Sequence, residues 1–209
     1  MTAVTEELVE TPHGSARVFL HGVAGPVGGL ALGHGAGGGV SARDIVAVTT
    51  AARDAGIFVA LVEQPYRVAG RRSPAPARQL DAAWTAVLAH LRAGPLAGLA
   101  VVTGGRSSGA RVACRTAEAT GASGVLCLAF PLVPPQRRTA TEPPPSRLPE
   151  LAGVRVPVLV IQGSNDRFGM PPEAPGRTVV QVEGDHSLAR DRPRIAATAR
   201  DWLLGLLSP

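Results

Sequence analysis

The chain contains no lysine: all 21 of its basic residues are arginine, set against 16 acids for a formal net charge of +5. The arginines are scattered along the sequence, and aromatic residues make up only 3% of it. A nucleic-acid footprint concentrates its positive charge and offers aromatic rings to bases, so nucleic acid is not an expected partner. The missing lysine reads as a codon bias toward arginine. Cysteine is also scarce, with only Cys114 and Cys127. The first falls in a helix-patterned segment and the second in a strand-patterned one. Both therefore read as small buried apolar groups rather than a disulfide or a metal pair. No stretch approaches about 18 uninterrupted apolar residues, so no membrane span is expected. The start, MTAVTEELVETPHG, carries acids where a secretory signal carries basic residues and then an apolar run. A reducing cytoplasm is the simplest expected location.

What is present is a core. Hydrophobic residues make up 45% of 209 positions, enough for one globular domain over residues 1–209. Apolar strand-like runs alternate with helix-like ones. ARVFLHG (Ala16–Gly22), GGLALGHG (Gly28–Gly35), IFVALVEQP (Ile57–Pro65), LAVVTGG (Leu99–Gly105), GVLCLAFPL (Gly124–Leu132), PVLVIQGSND (Pro157–Asp166) and RTVVQVEG (Arg177–Gly184) read as strands. Between them, Ser41–Gly56, Pro76–Gly94, Ser107–Gly121 and Arg192–Leu207 space their apolar residues as helices, the first with Ser41 suited to an N-cap. Continuous apolar strands separated by helices predict an α/β fold: a mostly parallel central sheet with helices on both faces. The proline-rich segment Pro134–Glu150 reads as an extended surface loop.

Parallel strands deliver their loops to one edge of the sheet, where ligand sites lie. Three features meet there. GGRSSGAR places Ser107 in a G-x-S-x-G frame between a strand and a helix, where a sharp turn exposes the hydroxyl at a helix N-terminus. Asp166 lies just beyond the strand PVLVIQG, and His186 just beyond RTVVQVEG. A serine hydroxyl becomes nucleophilic when a base takes its proton and a third group orients that base. The order serine, acid, histidine suits this architecture. His186 is therefore the expected base and Asp166 the expected acid. Asp185 is a weaker choice because a sequence neighbour rarely turns back to grip the ring. His13, His21, His34 and His90 are too early in the chain or inside a helix. The glycine-rich GHGAGGG (Gly33–Gly39) follows a strand and would lend an oxyanion donor, the backbone amide of Ala36, with Gly35 or Gly37 as alternatives. The amide of Ser108 would supply the other. A phosphate-binding reading of this loop lacks the lysine and spacing it needs.

In these motifs the chain resembles the α/β-hydrolase superfamily. More narrowly, GHGAGG, PYRVAGRRSPAP, GGRSSGARVA and QGSNDRFG are similar to small lidless hydrolase-like proteins related to the hydrolase-like subunit of a histone-acetylating complex, with dienelactone hydrolases as more distant relatives. In that group a bulkier residue and two glycines usually follow the nucleophile. Here Ser108 and Gly109-Ala110 stand instead, which alters the pocket wall and leaves the amide donor intact. The resemblance implies a serine hydrolase acting on an ester, thioester or related acyl compound, with no cofactor and no metal. The alternative is an interaction module that keeps the fold as a scaffold. With only the proline-rich stretch to cover the site, a shallow pocket and short, water-soluble acyl substrates are expected. Arg71, in the loop PYRVAGRRSP, and Arg106, next to the nucleophile, are candidates for holding an anionic substrate. The plainer expectation is that such arginines pair with local acids.

Overall fold

A computed structural model describes residues 4–134, 142 and 144–208. Its strands are β1 (Thr5–Val9), β2 (Ala16–His21), β3 (Gly28–Gly33), β4 (Ile57–Glu63), β5 (Val101–Arg106), β6 (Gly124–Leu128), β7 (Val158–Gly163) and β8 (Arg177–Val182). They form one sheet in the order β1-β2-β4-β3-β5-β6-β7-β8. Neighbours from β4 through β8 are parallel, whereas β2 runs antiparallel to both β1 and β4. The helices are α1 (Arg43–Asp54), α2 (Pro65–Val68), α3 (Ala77–Ala93), α4 (Ser108–Thr116), α5 (Leu148–Ala152) and α6 (Arg192–Leu207).

Every residue of β3, β6 and β7 is buried, as uninterrupted apolar runs require of strands covered on both faces. Successive side chains point to opposite faces. Leu126, Leu128, Leu159 and Ile161 join Ile45 and Val48 of α1 and Ile195 and Leu203 of α6. On the other face, Ala31, Ala60 and Val62 meet Trp84, Val87 and Leu88 of α3, while Val125, Cys127 and Val160 meet α4. Truncating one of these buried leucines to alanine would cost about 2–5 kcal/mol. Cys114 and Cys127 are buried free thiols whose sulfurs lie 3.6 Å apart.

The structure amends the sequence reading in four places. The strand β1 was hidden in the acid-rich start because, as an edge strand, it exposes most of its residues. Helix α1 has Ala42 rather than Ser41 at its N-cap. The loop after β4 begins with the single turn α2, which Pro65 can open because its missing N–H would have no partner there. The expected loop Pro134–Glu150 lies in part, at residues 135–141 and 143, outside the described residues. Its end is the helical turn α5, with proline near its start. Between β6 and β7, α5 is the sole helix among the described residues, and its Leu151 packs against the α4 cluster.

Candidate active site

Ser107 stands between β5 and α4 with φ 52° and ψ −106°. A non-glycine residue at positive φ costs on the order of 1–3 kcal/mol and persists only where its surroundings hold it. Its amide donates to the carbonyl of Leu128 at 2.9 Å, and its carbonyl accepts from Arg111 N–H at 3.2 Å. The flanking glycines are needed for packing. A methyl group on Gly105 would lie 2.5 Å from the Gly33 carbonyl oxygen, and one on Gly109 2.7 Å from the same atom. The frame read in the sequence is therefore set by how closely α4 approaches the end of β3.

The loops after β7 and β8 bring Asp166 and His186 to this serine. Gly163, at the end of β7, lets the second loop lie against the first: a methyl group there would be 2.7 Å from the Gly184 carbonyl oxygen. His186 Nε2 is 2.9 Å from Ser107 Oγ, and Nδ1 is 2.8 Å from Asp166 Oδ2. A carboxylate accepts only, so Nδ1 carries the ring proton and Nε2 is free to accept from the serine hydroxyl. The Asp166 carboxylate is fully buried. It is held by the amide of Phe168 at 2.9 Å and by Gln162 Nε2 at 2.8 Å. The carbonyls of Phe130 and Gly169 also lie 3.0 and 2.9 Å from this nitrogen, so its two hydrogens are shared among three acceptors. The ring of Phe168 meets His186 edge-on, with centroids 4.4 Å apart. Asp185 is turned away to Ser187, whose hydrogen bonds hold its carboxyl below the usual range.

The loop after β3 lies against the serine from the other side, since a methyl group on Gly35 would be 3.6 Å from Ser107 Cβ. Two props shape it. Tyr66 Oη donates to the Ala36 carbonyl at 3.0 Å. His34 accepts the Gln64 amide at Nε2, 3.1 Å away, which puts its proton on Nδ1 to donate to the Gly35 carbonyl at 2.8 Å. Burial pushes the His34 pKa down, which keeps the ring in this neutral form. Among the described residues, no backbone acceptor takes the amide of Ala36, and the amide of Ser108 is the first of α4 and has no partner within the helix.

Arg106 is turned inward. Its Nη2 donates to the His186 carbonyl at 2.9 Å, and its Nε forms an ion pair with Asp44 at 3.0 Å, off the angle a hydrogen bond needs. The Asp44 side chain is only 1% exposed, and burial pushes its pKa up against the pull of Arg106. The residue expected to meet an anionic substrate instead joins the start of α1, the elbow and the His186 loop, because a buried carboxylate and a bare carbonyl lie within reach of its fork.

Residues 28–201 match the family model described as an alpha/beta hydrolase domain. The chain belongs to the α/β-hydrolase family. The sequence has no match among curated proteins. Among solved structures, it is similar to XC6422 from Xanthomonas campestris, described as an α/β serine hydrolase without lid, with a TM-score of 0.73, 18% identity, and coverage of 97% of this chain and 94% of that one. Est1E from Butyrivibrio proteoclasticus gives a TM-score of 0.76 at 13% identity, covering 97% and 98% of the two chains. A dienelactone hydrolase from Anabaena variabilis gives 0.74 at 16% identity, covering 98% of each. At such identities the likeness establishes the fold.

Two cavities lie beside Gln64 and Tyr66 of this α/β hydrolase. The larger, about 350 Å³, lies over the loop after β4 and is lined by His13, Tyr66, Arg71 and Gln79 among others. A smaller one reaches from Gln64 and Tyr66 to Ser108 and Gly109. Arg71 is thus on the wall of a cavity, while His90 pairs with Glu7 on the surface. Among the described residues there is no group of three or more potential metal ligands and no helix long and apolar enough to cross a membrane. Sequence reasoning missed Gln162, Phe168, His34, Gln64 and Tyr66. Gln162 carried a signal, being a polar residue in an otherwise apolar run that ends in the acid's loop.

Proposed function

We propose that the protein is a serine hydrolase that cleaves a small carboxylic ester, thioester or related acyl compound through an acyl-enzyme. Ser107 Oγ attacks the acyl carbonyl carbon while His186 Nε2 takes the hydroxyl proton. Asp166 accepts from Nδ1–H and stabilises the resulting imidazolium. The carbonyl oxygen gathers negative charge and is met by the amides of Ser108 and Ala36. Such preorganised donors each contribute about 10²–10³ in rate. Collapse expels the alcohol or thiol with the proton from His186. A water, deprotonated by the same nitrogen, then attacks the acyl-serine carbonyl, and the acid leaves as Ser107 regains its proton.

The observation that carries this reading is the relay Ser107 Oγ to His186 Nε2 to Asp166 Oδ2, at 2.9 and 2.8 Å. The names of the similar structures, an α/β serine hydrolase without lid and a dienelactone hydrolase, agree with an acyl substrate. The absence of a helical cover among the described residues favours short, water-soluble acyl groups. Arg71 on the larger cavity's wall would attract an acid group on such a substrate; Arg106, already engaged, is not assigned that part.

A fluorophosphonate probe tests the proposal. It should label the wild-type protein at Ser107, and Ser107→Ala should lose both labelling and turnover of short acyl esters with its thermal unfolding unchanged. Labelling that survives the substitution would overturn it.

A further inference from the structure

His186 is held at both ring nitrogens, 2.9 Å from Ser107 Oγ and 2.8 Å from Asp166 Oδ2. Two hydrogen bonds pin two atoms of the imidazole, and a tilt of its plane about the line between them bends each bond only slightly. A contact off that line is what fixes the plane. Phe168 makes one: its ring lies 4.4 Å from the imidazole, centroid to centroid, at an interplanar angle of 70°. Aromatic pairs in this edge-to-face geometry attract each other beyond the area they bury.

The main chain of Phe168 is fixed as firmly as its ring. Its amide donates to Asp166 Oδ1 at 2.9 Å, the carboxylate oxygen that His186 does not use. Its carbonyl accepts from the Val133 amide at 2.8 Å, and the turn closes with the Gly169 amide donating to the Asp166 carbonyl at 3.0 Å. Gly169 has φ 88°, a conformation that glycine adopts at little steric cost. The guanidinium of exposed Arg167 lies over the ring itself, with Cζ 4.9 Å from the centroid. One residue thereby touches the acid through its amide and the base through its ring.

We infer that Phe168 is a positioning residue for the general base. Its ring holds the imidazole plane in line with Ser107 and Asp166, and Arg167 steadies that ring from one face. The inference rests on the hydrolase reading above, in which Nε2 takes the serine proton and passes it to the leaving group. Both transfers need the nitrogen within hydrogen-bond reach of its partner, so an imidazole free to tilt spends less time in the reactive geometry. Substrate binding does not depend on that plane. The loss on removing the ring therefore falls on kcat and not on KM.

The test follows hydrolysis of p-nitrophenyl acetate together with the proton NMR signal of His186 Nδ1–H. A proton shared between an imidazole and a buried carboxylate resonates far downfield, and exchange with water erases it once the ring leaves its seat. Absence of the signal in His186→Ala assigns it. In Phe168→Leu, kcat should fall about tenfold at unchanged KM, and the signal should broaden or vanish. Phe168→Tyr keeps an aromatic ring and should restore both. Arg167→Met, on the surface, should lower kcat about threefold, again at unchanged KM. An intact signal or a wild-type kcat in Phe168→Leu overturns the inference, as does a loss that Phe168→Tyr fails to restore. If Phe168→Leu does not fold, a wild-type kcat in Arg167→Met overturns it instead. Wild-type turnover with labelling at Ser107, alongside any of these results, sinks this inference alone. No labelling and no turnover in the wild type sinks the hydrolase reading and this one with it.

Discussion

The loops after β7 and β8 reach Ser107 with their polar groups tied down, whereas the loops after β3 and β4 reach it with polar groups left open. On the first side, Asp166 accepts from His186, Gln162 and the Phe168 amide, and the His186 carbonyl is held by Arg106. Among the described residues, the buried side-chain atoms there without a hydrogen bond are Gln162 Oε1 and the two atoms of the Arg106 Nε–Asp44 Oδ2 ion pair. On the second side, the Ala36 amide, Gln64 Oε1 and, on the neighbouring α3, Trp84 Nε1 have no hydrogen-bond partner among the described residues, and two cavities lie beside Gln64 and Tyr66. On the proposed function, the groups that hold the base through turnover are tied down, and the Ala36 amide is open to the carbonyl oxygen.

The strongest blow to the closed side is Asp166→Asn. It preserves shape, but an amide that turns its NH2 toward His186 favours the tautomer with its proton on Nε2, which cannot accept from Ser107. The analogous change in a serine protease lowers kcat by about 10⁴, and a loss of that order is expected here in ester turnover. Asp185→Asn should cost far less, because Asp185 faces Ser187. If Asp185→Asn proves the more damaging, the acid has been misassigned.

Much of the closed side was legible in the sequence, and little of the open side was. Strand ends announce Ser107, Asp166 and His186, because a parallel sheet collects them at one edge whatever their spacing. Which way an arginine turns is a different kind of question. Arg106 reads as a surface cation beside a nucleophile until the fold brings Asp44, from a helix more than sixty residues earlier, against its Nε. Tyr66 and His34 likewise gain their tasks from a crossing of two loops that no local pattern encodes. The glycines divide the same way. Gly105 and Gly109 are required by close packing, whereas Gly37 and Gly38 have open space around their Cα atoms, and the sequence gives all of them equal weight.

Arg106→Met tests the link between the two sides. It strands a buried carboxylate at Asp44, and removing one partner of a buried pair costs about 3–5 kcal/mol. Chemical denaturation should register a loss of that size, and the double variant Arg106→Met with Asp44→Asn should recover part of it. Arg106 also holds the His186 carbonyl, so the double variant should regain stability without regaining full kcat. A double variant with wild-type kcat would mean that the arginine serves Asp44 alone.

The smallest expected effect lies on the open side and concerns pH. Burial holds the folded-state pKa of His34 below its ordinary value of 6.5. As pH falls through that value, His34 in the unfolded chain takes up a proton that the folded chain refuses. The unfolded state then binds more protons, and stability contributed by the neutral ring declines as pH falls, until the folded pKa is reached. One such group gives a slope of at most about 1.4 kcal/mol per pH unit. Half-buried His21 is shifted in the same direction, so the total slope mixes the two and the comparison must be made by substitution. Denaturant unfolding between pH 8 and pH 5 should fall less steeply in His34→Asn than in the wild type, although the variant is less stable at pH 8 for want of the Gln64 and Gly35 hydrogen bonds. Equal slopes in the two proteins would mean that the loop opens to let His34 protonate, and that the ring does not prop the loop in the way its two hydrogen bonds suggest.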